Sequence, residues 1–325
     1  MDNYTVCQFE KDMRWSGFLL VRSAETRTDK KGTPYLDMNV CDRTGEINCK
    51  MWGREGNVPA TGSVVFVQGL VQEFNGRLQF RLENFRPKAE TDHVDMSRLV
   101  PCAPRSGEDM MKQVEDAIEG FHDEKLRRLV RKMLDMYDRD LLLSSPAAQR
   151  IHHAEQGGLL HHITDMLSLG ETVIRVYKGL NADLLRAGII LHDLAKMDEM
   201  KSDALGNVSD YSMDGILVGH LVRGAMNLER AAKETGVSGE TVTLLSHMLL
   251  SHHGELEYGS PKVPMTAEAE VLHWLDMMDA RINTIQGVQK RLSPGTFSEN
   301  IPSLERRVYC PMYSWDGDTE TSAKN

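Results

Sequence analysis

Cysteine is scarce in this chain: five in 325 residues, at positions 7, 41, 49, 102 and 310, odd in number and without a Cys-x-x-Cys pair. That pattern holds no disulfide framework and suits reduced thiols in a cytosol, so we assign the cysteines no chemistry. Long apolar runs are missing as well. Stretches such as Ala187 to Leu191 fall far short of the roughly 20 residues that span a bilayer. The acidic opening Met-Asp-Asn-Tyr lacks the charge pattern of a signal peptide, and a cytoplasmic protein with no membrane partner is expected. An excess of cations is absent too: 38 Lys/Arg face 48 Asp/Glu, a net charge of −10, which argues against binding nucleic acid by bulk positive charge. What is present is 41% hydrophobic residue, enough to bury a sizeable core, in a length that suits two domains.

Charge is divided unevenly. Residues 1–88 hold 13 Lys/Arg against 11 Asp/Glu, and residues 89–325 hold 25 against 37. The acidity belongs to the second part, where it solubilises the surface and is compatible with binding cations. In the first part the apolar residues alternate from Trp15 to Phe85, as strands do when one face is buried. Leu36, Met38 and Val40 alternate with Tyr35, Asp37 and Asn39; after the turn Asp42-Arg43-Thr44-Gly45, Ile47, Cys49 and Met51 alternate with Asn48, Lys50 and Trp52. A second hairpin runs from Ser63 through Asn75-Gly76 to Phe85, with Leu78, Phe80 and Leu82 on one face. With a strand near Phe18 to Arg22, the count suits a small OB-type barrel, although an SH3-like barrel has a similar count. The OB reading is preferred because Tyr35, Asn39, Asn48, Lys50 and Trp52 share an outward face on which OB folds stack bases and track phosphates. An ordinary solvent-facing strand pair accounts for them equally well.

Pro87, Pro101 and Pro104 bracket an aperiodic stretch, and residues 89–105 read as a linker between the barrel over 1–88 and a second domain. Beyond it apolar residues recur at three and four, as in Leu126, Leu129, Val130, Met133 and Leu134. Further helices are predicted near 107–121, 159–178, 181–197, 213–235, 238–251 and 265–286, an all-α domain over 106–292. The tail, 293–325, holds Pro294, Pro302 and Pro311 and a polar end, and is expected to be largely irregular. Its stretch from Arg306 to Trp315 mixes basic and aromatic residues, which suits nucleic acid, the helical domain or a neighbouring subunit.

Eleven of the twelve histidines lie beyond residue 120. Apart from His122 they fall at His152-His153, His161-His162, His192-Asp193, His220, His247, His252-His253 and His273, with Asp276 and Asp279 behind them. Imidazole and carboxylate hold divalent transition metals, and the helices of a bundle can converge several of them inward. The sharpest element is Ala187 to Lys196, an apolar helix ending in His192-Asp193, two polar groups at the edge of a core. An isolated His-Asp is usually a histidine bonded to a local carbonyl beside a capping aspartate. Recurrence of histidine on the other helices favours a metal.

His162, His192-Asp193 and Asp276 have the order and local context of the HD metal-dependent phosphohydrolase superfamily. The runs His152 to His162, Leu250 to Gly254 and Tyr258 to Lys262 resemble the YhaM-type 3′→5′ exoribonucleases, which join an N-terminal OB domain to an HD domain, and the resemblance covers nearly the whole chain. It implies His162, His192, Asp193 and Asp276 as metal ligands, Asp193 able to bridge two ions, and His220, His252 and His253 as the extra ligands of a binuclear centre. Lys196 takes the position from which HD enzymes contact a substrate phosphate, which makes it catalytic beside Asp193; a lysine at a helix end also suits the helix dipole. Asp279, one turn after Asp276, is expected behind the ligands. The family commonly has an acidic residue before its first ligand histidine, and here His161 stands there, so the first ligand is His161 or His162. His152 and His153 receive no role, and His247 and His273 read as packed or surface histidines.

The activity implied is 3′→5′ exonucleolytic attack on single-stranded RNA, with DNA open, releasing nucleoside 5′-monophosphates. Two divalent ions are implied, manganese by resemblance, although iron, cobalt and zinc suit the same donors. Homo-oligomerisation is left open. A cyclic-dinucleotide phosphodiesterase competes, because His252-His253-Gly254 with a later Gly-Ser-Pro echoes the Gly-Tyr-Pro branch without its tyrosine. That reading and a nucleotide phosphohydrolase both leave the barrel idle. A non-enzymatic single-strand-binding replication factor with a vestigial metal site is the alternative outside enzymes.

Overall fold

Alternating residues in the first quarter of the chain close into a barrel in the computed structural model, which describes residues 4–29, 32–53, 58–74, 77–100, 102–148, 153, 155–202, 206, 208–290 and 292–313. Strands β1 (Arg14–Thr28), β2 (Pro34–Asp42), β3 (Gly45–Trp52), β4 (Val64–Phe74) and β5 (Arg77–Pro87) run in the order β1-β2-β3-β5-β4. Neighbours are antiparallel except β3 and β5, which are parallel, and this closure is the OB arrangement. β1 is longer than the alternation predicts because it serves two partners. Its first half pairs with β4 and its second with β2, bending at a bulge between Val21 and Ser23. Leu36, Met38, Val40, Ile47, Cys49, Phe80 and Leu82 fill the interior. Leu78 is exposed instead, since it lies near the hairpin's tip past the packed layer. The Asn75-Gly76 turn falls outside the described residues.

The stretch after the barrel is packed rather than a loose tether. Leu99 and Val100 are buried against Leu20 and Cys41, and the Ala103 N–H donates to the Gln156 carbonyl in the helical domain. That domain contains α1 (Gly107–Glu119), α2 (Glu124–Leu134), α3 (Arg139–Ser144), α4 (Gly158–Val176), α5 (Ala182–Leu191), α6 (Lys196–Glu199), a small hairpin β6 (Met200–Ser202) and β7 (Val208–Tyr211), then α7 (Met213–Leu217), α8 (Gly219–Thr235), α9 (Glu240–Ser251) and α10 (Ala267–Gln289). Several starts are chemically marked: Ser106, Asp123, Asp138, Asn181, Ser212 and Thr266 each accept a backbone N–H of the first turn. The core is one cluster running through α1, α2, α4, α5, α8, α9 and α10. α5 lies in its middle, and α9 approaches so closely that a side chain on Gly188 would overlap that of Met248.

Three expectations need correction. The helix predicted over 181–197 stops at Leu191, and a tight turn separates it from α6. The one predicted over 213–235 is two, broken at Val218 and Gly219, the glycine at φ 74°. The described part of the tail, expected to be largely irregular, contains an antiparallel pair, β8 (Phe297–Ile301) and β9 (Arg306–Tyr309). Its prolines do not oppose this: Pro302 sits in the connection and Pro311 follows β9, where no ladder N–H is needed. Buried Leu304 and Val308, and a hydrogen bond from Gln289 Nε2 to the Tyr309 carbonyl, tie the pair down. Trp315 lies outside the described residues. Among the described residues no helix is long and apolar enough to cross a membrane.

Candidate metal centre and nucleic-acid face

The last carbonyls of a helix have no partner within it. At the end of α5 the His192 Nδ1–H donates to the Ile189 carbonyl at 2.9 Å, and at the end of α9 the His252 Nδ1–H donates to that of Leu249 at 2.9 Å. The local carbonyl bond typical of an isolated His-Asp is therefore present, and it does not compete with a metal. It fixes the proton on Nδ1 and turns the Nε2 lone pair inward. His253 does the same through the Tyr258 carbonyl at 3.0 Å. Carboxylates hold the remaining two rings: Asp279 Oδ2 lies 2.6 Å from His162 Nδ1 on α4, and Glu199 Oε2 lies 2.5 Å from His220 Nδ1 on α8.

Asp193 sits between the inward nitrogens. Its Oδ2 is 3.4 Å from His192 Nε2 and 3.8 Å from His162 Nε2; its Oδ1 is 3.5 Å from His220 Nε2 and 3.6 Å from His252 Nε2. His162 Nε2 is 3.2 Å from His192 Nε2 and 3.4 Å from Asp276 Oδ1, and His220 Nε2 is 3.3 Å from His253 Nε2. These separations suit donors arranged around shared ions. The residues fit such ions on a further ground: Asp193 Oδ1 and His252 Nε2 are buried without a hydrogen-bond partner, a state that costs roughly 1–3 kcal/mol per group unless something else satisfies them.

The two halves differ electrostatically. Burial acts to discharge His162, but Asp276 and Asp279 outweigh it and raise its pKa to about 10. Burial pushes His252 down to about 3 despite Asp193, and lowers His253 as well. Burial also opposes the charge on Asp193, yet Lys196 and His192 hold it well below the ordinary carboxylate range. Lys196 Nζ is 2.6 Å from Asp193 Oδ2, and despite burial Asp193 and Asp276 keep that amine charged.

All seven residues read as ligands in the sequence are thus brought together. His161 is not among them: it turns to Glu155 at 2.7 Å and Asp165 at 3.2 Å, leaving His162 as the member of the pair that faces the cluster. His247 accepts the Met265 N–H at 2.9 Å, and the buried His273 donates to the His252 carbonyl at 2.9 Å. Sequence reasoning missed His153, whose Nε2 is 2.8 Å from Asp279 Oδ2, and Glu199 behind His220. Nothing local marks Glu199, because its partner arrives from another helix. Gly254 follows the His252-His253 pair at φ 80°, where a side chain would overlap the His273 ring. Gly254→Ala is expected to cost about 2–4 kcal/mol, from the left-handed backbone and the overlap together. Thermal unfolding should show a Tm roughly 5–15 °C lower; an unchanged Tm would show that the ring moves aside freely.

On the barrel, β2–β3 register sets Tyr35 opposite Trp52 and Asn39 opposite Asn48. The Tyr35 and Trp52 rings stack at 5.7 Å, the Lys50 amine lies 5.1 Å from the Tyr35 ring, and Trp52 is 47% exposed. The asparagines are engaged within the face: Asn48 Nδ2 donates to Asp37 and Asn39, and Gln79 donates to Asn48. Tyr35, Lys50 and Trp52 take no part in those hydrogen bonds.

A closed OB barrel followed by a helical domain that gathers histidine and aspartate defines the class, and family models agree with both halves. One for an OB-fold nucleic acid binding domain matches residues 20–87, and one for an HD domain matches residues 151–281. Over 296 residues the chain is 38% identical to the 3′-5′ exoribonuclease YhaM of Shouchella clausii, covering 90% of this chain and 92% of that one. It is 37% identical to the 3′-5′ exoribonuclease YhaM of a Geobacillus species, covering 91% and 92%, and 37% identical to that of Listeria monocytogenes, covering 91% and 95%. The chain belongs to the YhaM family of 3′-5′ exoribonucleases.

Proposed function

We propose that this chain is a metal-dependent exoribonuclease that shortens single-stranded RNA from its 3′ end, with two divalent ions held by His162, His192, Asp193, His220, His252, His253 and Asp276. One observation carries the two-ion reading: the two oxygens of Asp193 face separate sets of histidine nitrogens. Divalent ions bound there supply the Lewis acidity that makes water nucleophilic near neutral pH and offsets phosphodiester charge. Manganese is our assignment, and iron, cobalt and zinc suit the same nitrogen and oxygen donors.

The chain's own groups do the positioning. Carbonyls and carboxylates on the Nδ1 side orient five imidazoles so that each Nε2 faces the centre. Lys196 has three N–H donors; with one on Asp193, two are left for a phosphate oxygen. Cleavage beside the 3′ terminus then frees a nucleoside 5′-monophosphate. The deciding experiment is digestion of 5′-labelled single-stranded RNA with manganese. A ladder shortening from the 3′ end is expected; intact RNA with retained binding would favour a non-enzymatic factor.

The Tyr35–Trp52 face supports a separate grip on the upstream strand. Replacing both by alanine is expected to weaken binding of long RNA about 10–100-fold, since a stacked base contributes roughly 1–3 kcal/mol. Hydrolysis of a small phosphodiester should stay within about twofold of wild type. Equal loss of both activities would count against this division of labour.

A further inference from the structure

Behind the metal centre lies a second group of donors for which the reaction has no use. His153 Nδ1 and His161 Nδ1 are 3.1 Å apart, and Glu155 Oε1 lies 2.7 Å from His161 Nδ1 and 3.6 Å from His153 Nδ1. The far nitrogen of each ring is committed elsewhere: His153 Nε2 to Asp279 Oδ2 at 2.8 Å, and His161 Nε2 to Asp165 Oδ2 at 3.2 Å. A neutral imidazole that donates through Nε2 carries its lone pair on Nδ1. His161 Nδ1–H donates to Glu155 Oε1, and an ion would take the place of that proton; the two ring nitrogens and the carboxylate oxygen then converge on one point. Donor separations of this size suit three atoms each about 2.0–2.2 Å from one cation.

The backbone is shaped to present this set. His153 has φ 47°, a left-handed conformation that a residue with a side chain adopts at a cost. Its carbonyl accepts the Ala147 N–H at 3.1 Å and rests on Gly158, where any side chain would overlap it. The side chains of His153, His161 and Glu155 are 1%, 12% and 21% exposed, so the set is sheltered yet open on the Glu155 side.

We propose that His153 Nδ1, Glu155 Oε1 and His161 Nδ1 form a third divalent-cation site, an outer one built from two imidazoles and one carboxylate. Zinc and cobalt are among the ions that suit this donor set. The site stands apart from the two-ion reading of the centre, but it is joined to it: His153 reaches Asp279, and Asp279 holds His162. An ion on His153 Nδ1 makes its Nε2–H a stronger donor to Asp279 and so stiffens the support of His162.

The test counts ions. Full-length protein is stripped of metal, equilibrated with zinc at pH 8, gel-filtered, and its zinc per chain measured by plasma mass spectrometry. Wild type is expected to retain one ion more than Glu155→Gln and one more than His161→Ala, whatever number the centre holds. Asp193→Ala should lose ions from the centre and keep the one that Glu155→Gln removes. Cobalt titration should show an absorption component lost in Glu155→Gln, whose near-isosteric side chain preserves the fold; metal-free circular dichroism verifies that. Zinc affinity at this site should fall at least about tenfold in Glu155→Gln. Equal ion counts and identical cobalt spectra in wild type and both variants would overturn the proposal. RNA that stays intact while the one-ion difference persists would sink the nuclease reading and leave the outer site standing.

Discussion

Asp193→Ala is expected to lower the rate of 3′-end shortening of labelled RNA by a factor of about 10³ or more, and Asp193→Asn by nearly as much. Among the described residues, Asp193 is the one side chain whose two oxygens reach both histidine sets. Without it, the His220, His252 and His253 set loses the carboxylate it faces, and the His162 and His192 set keeps only Asp276. The alanine variant has a second effect. Lys196, 14% exposed, loses the carboxylate that sits 2.6 Å from its amine, and removing one partner of a buried pair costs about 3–5 kcal/mol. Asparagine separates the two consequences, since it keeps the shape and a hydrogen-bond acceptor for Lys196 while removing the charge an ion requires. Circular dichroism like that of wild type, with activity lost and fewer ions bound, is the expected result for Asp193→Asn. Activity within about tenfold of wild type would remove Asp193 from its bridging position.

Chelation should have an effect of similar size. Incubation with EDTA is expected to take RNA digestion to background, and manganese should restore it. The same treatment should lower the Tm of the helical domain, because a ligand present at about 100 times its Kd stabilises the folded form by roughly 2.7 kcal/mol. The pKa pattern adds a signature. Near pH 7.5 the ion-free chain keeps His162 charged, its pKa being near 10, and His252 neutral, its pKa being near 3. An ion needs the lone pair on each. Refilling the centre at pH 7.5 is therefore expected to release about one proton per chain from His162 and none from His252. Calorimetry in two buffers of different ionisation heat measures this, and Asp279→Asn, which removes one carboxylate holding that proton, should reduce it. Metal binding without proton release would place His162 outside the ligand set.

Much of this organisation is legible along the chain. Leu36, Met38 and Val40 alternate with polar neighbours, and the strand they form buries those three. The period of a strand is a property of consecutive residues, so it survives in one dimension. The donor types survive for the same reason: histidine and aspartate clustered at the ends of apolar helices mark a metal-binding domain before any contact is known. The prolines of the tail misled because their spacing alone does not tell whether they fall within a ladder or in the turn and flank of β8–β9.

Other features were decided only when the helices packed. His161 and His162 are equivalent in sequence, but successive residues on a helix point about 100° apart. The rotation of α4 aims His162 at Asp193 and Asp276 and leaves His161 to Glu155 and Asp165. Asp279 stands 117 residues from the ring it orients, and Glu199 is matched to His220 by the packing of α6 on α8. The sequence by itself determined which donors exist and which elements carry them. Tertiary structure alone decided which nitrogen of each ring faces inward, because the opposite nitrogen takes its partner from whatever the fold brings beside it.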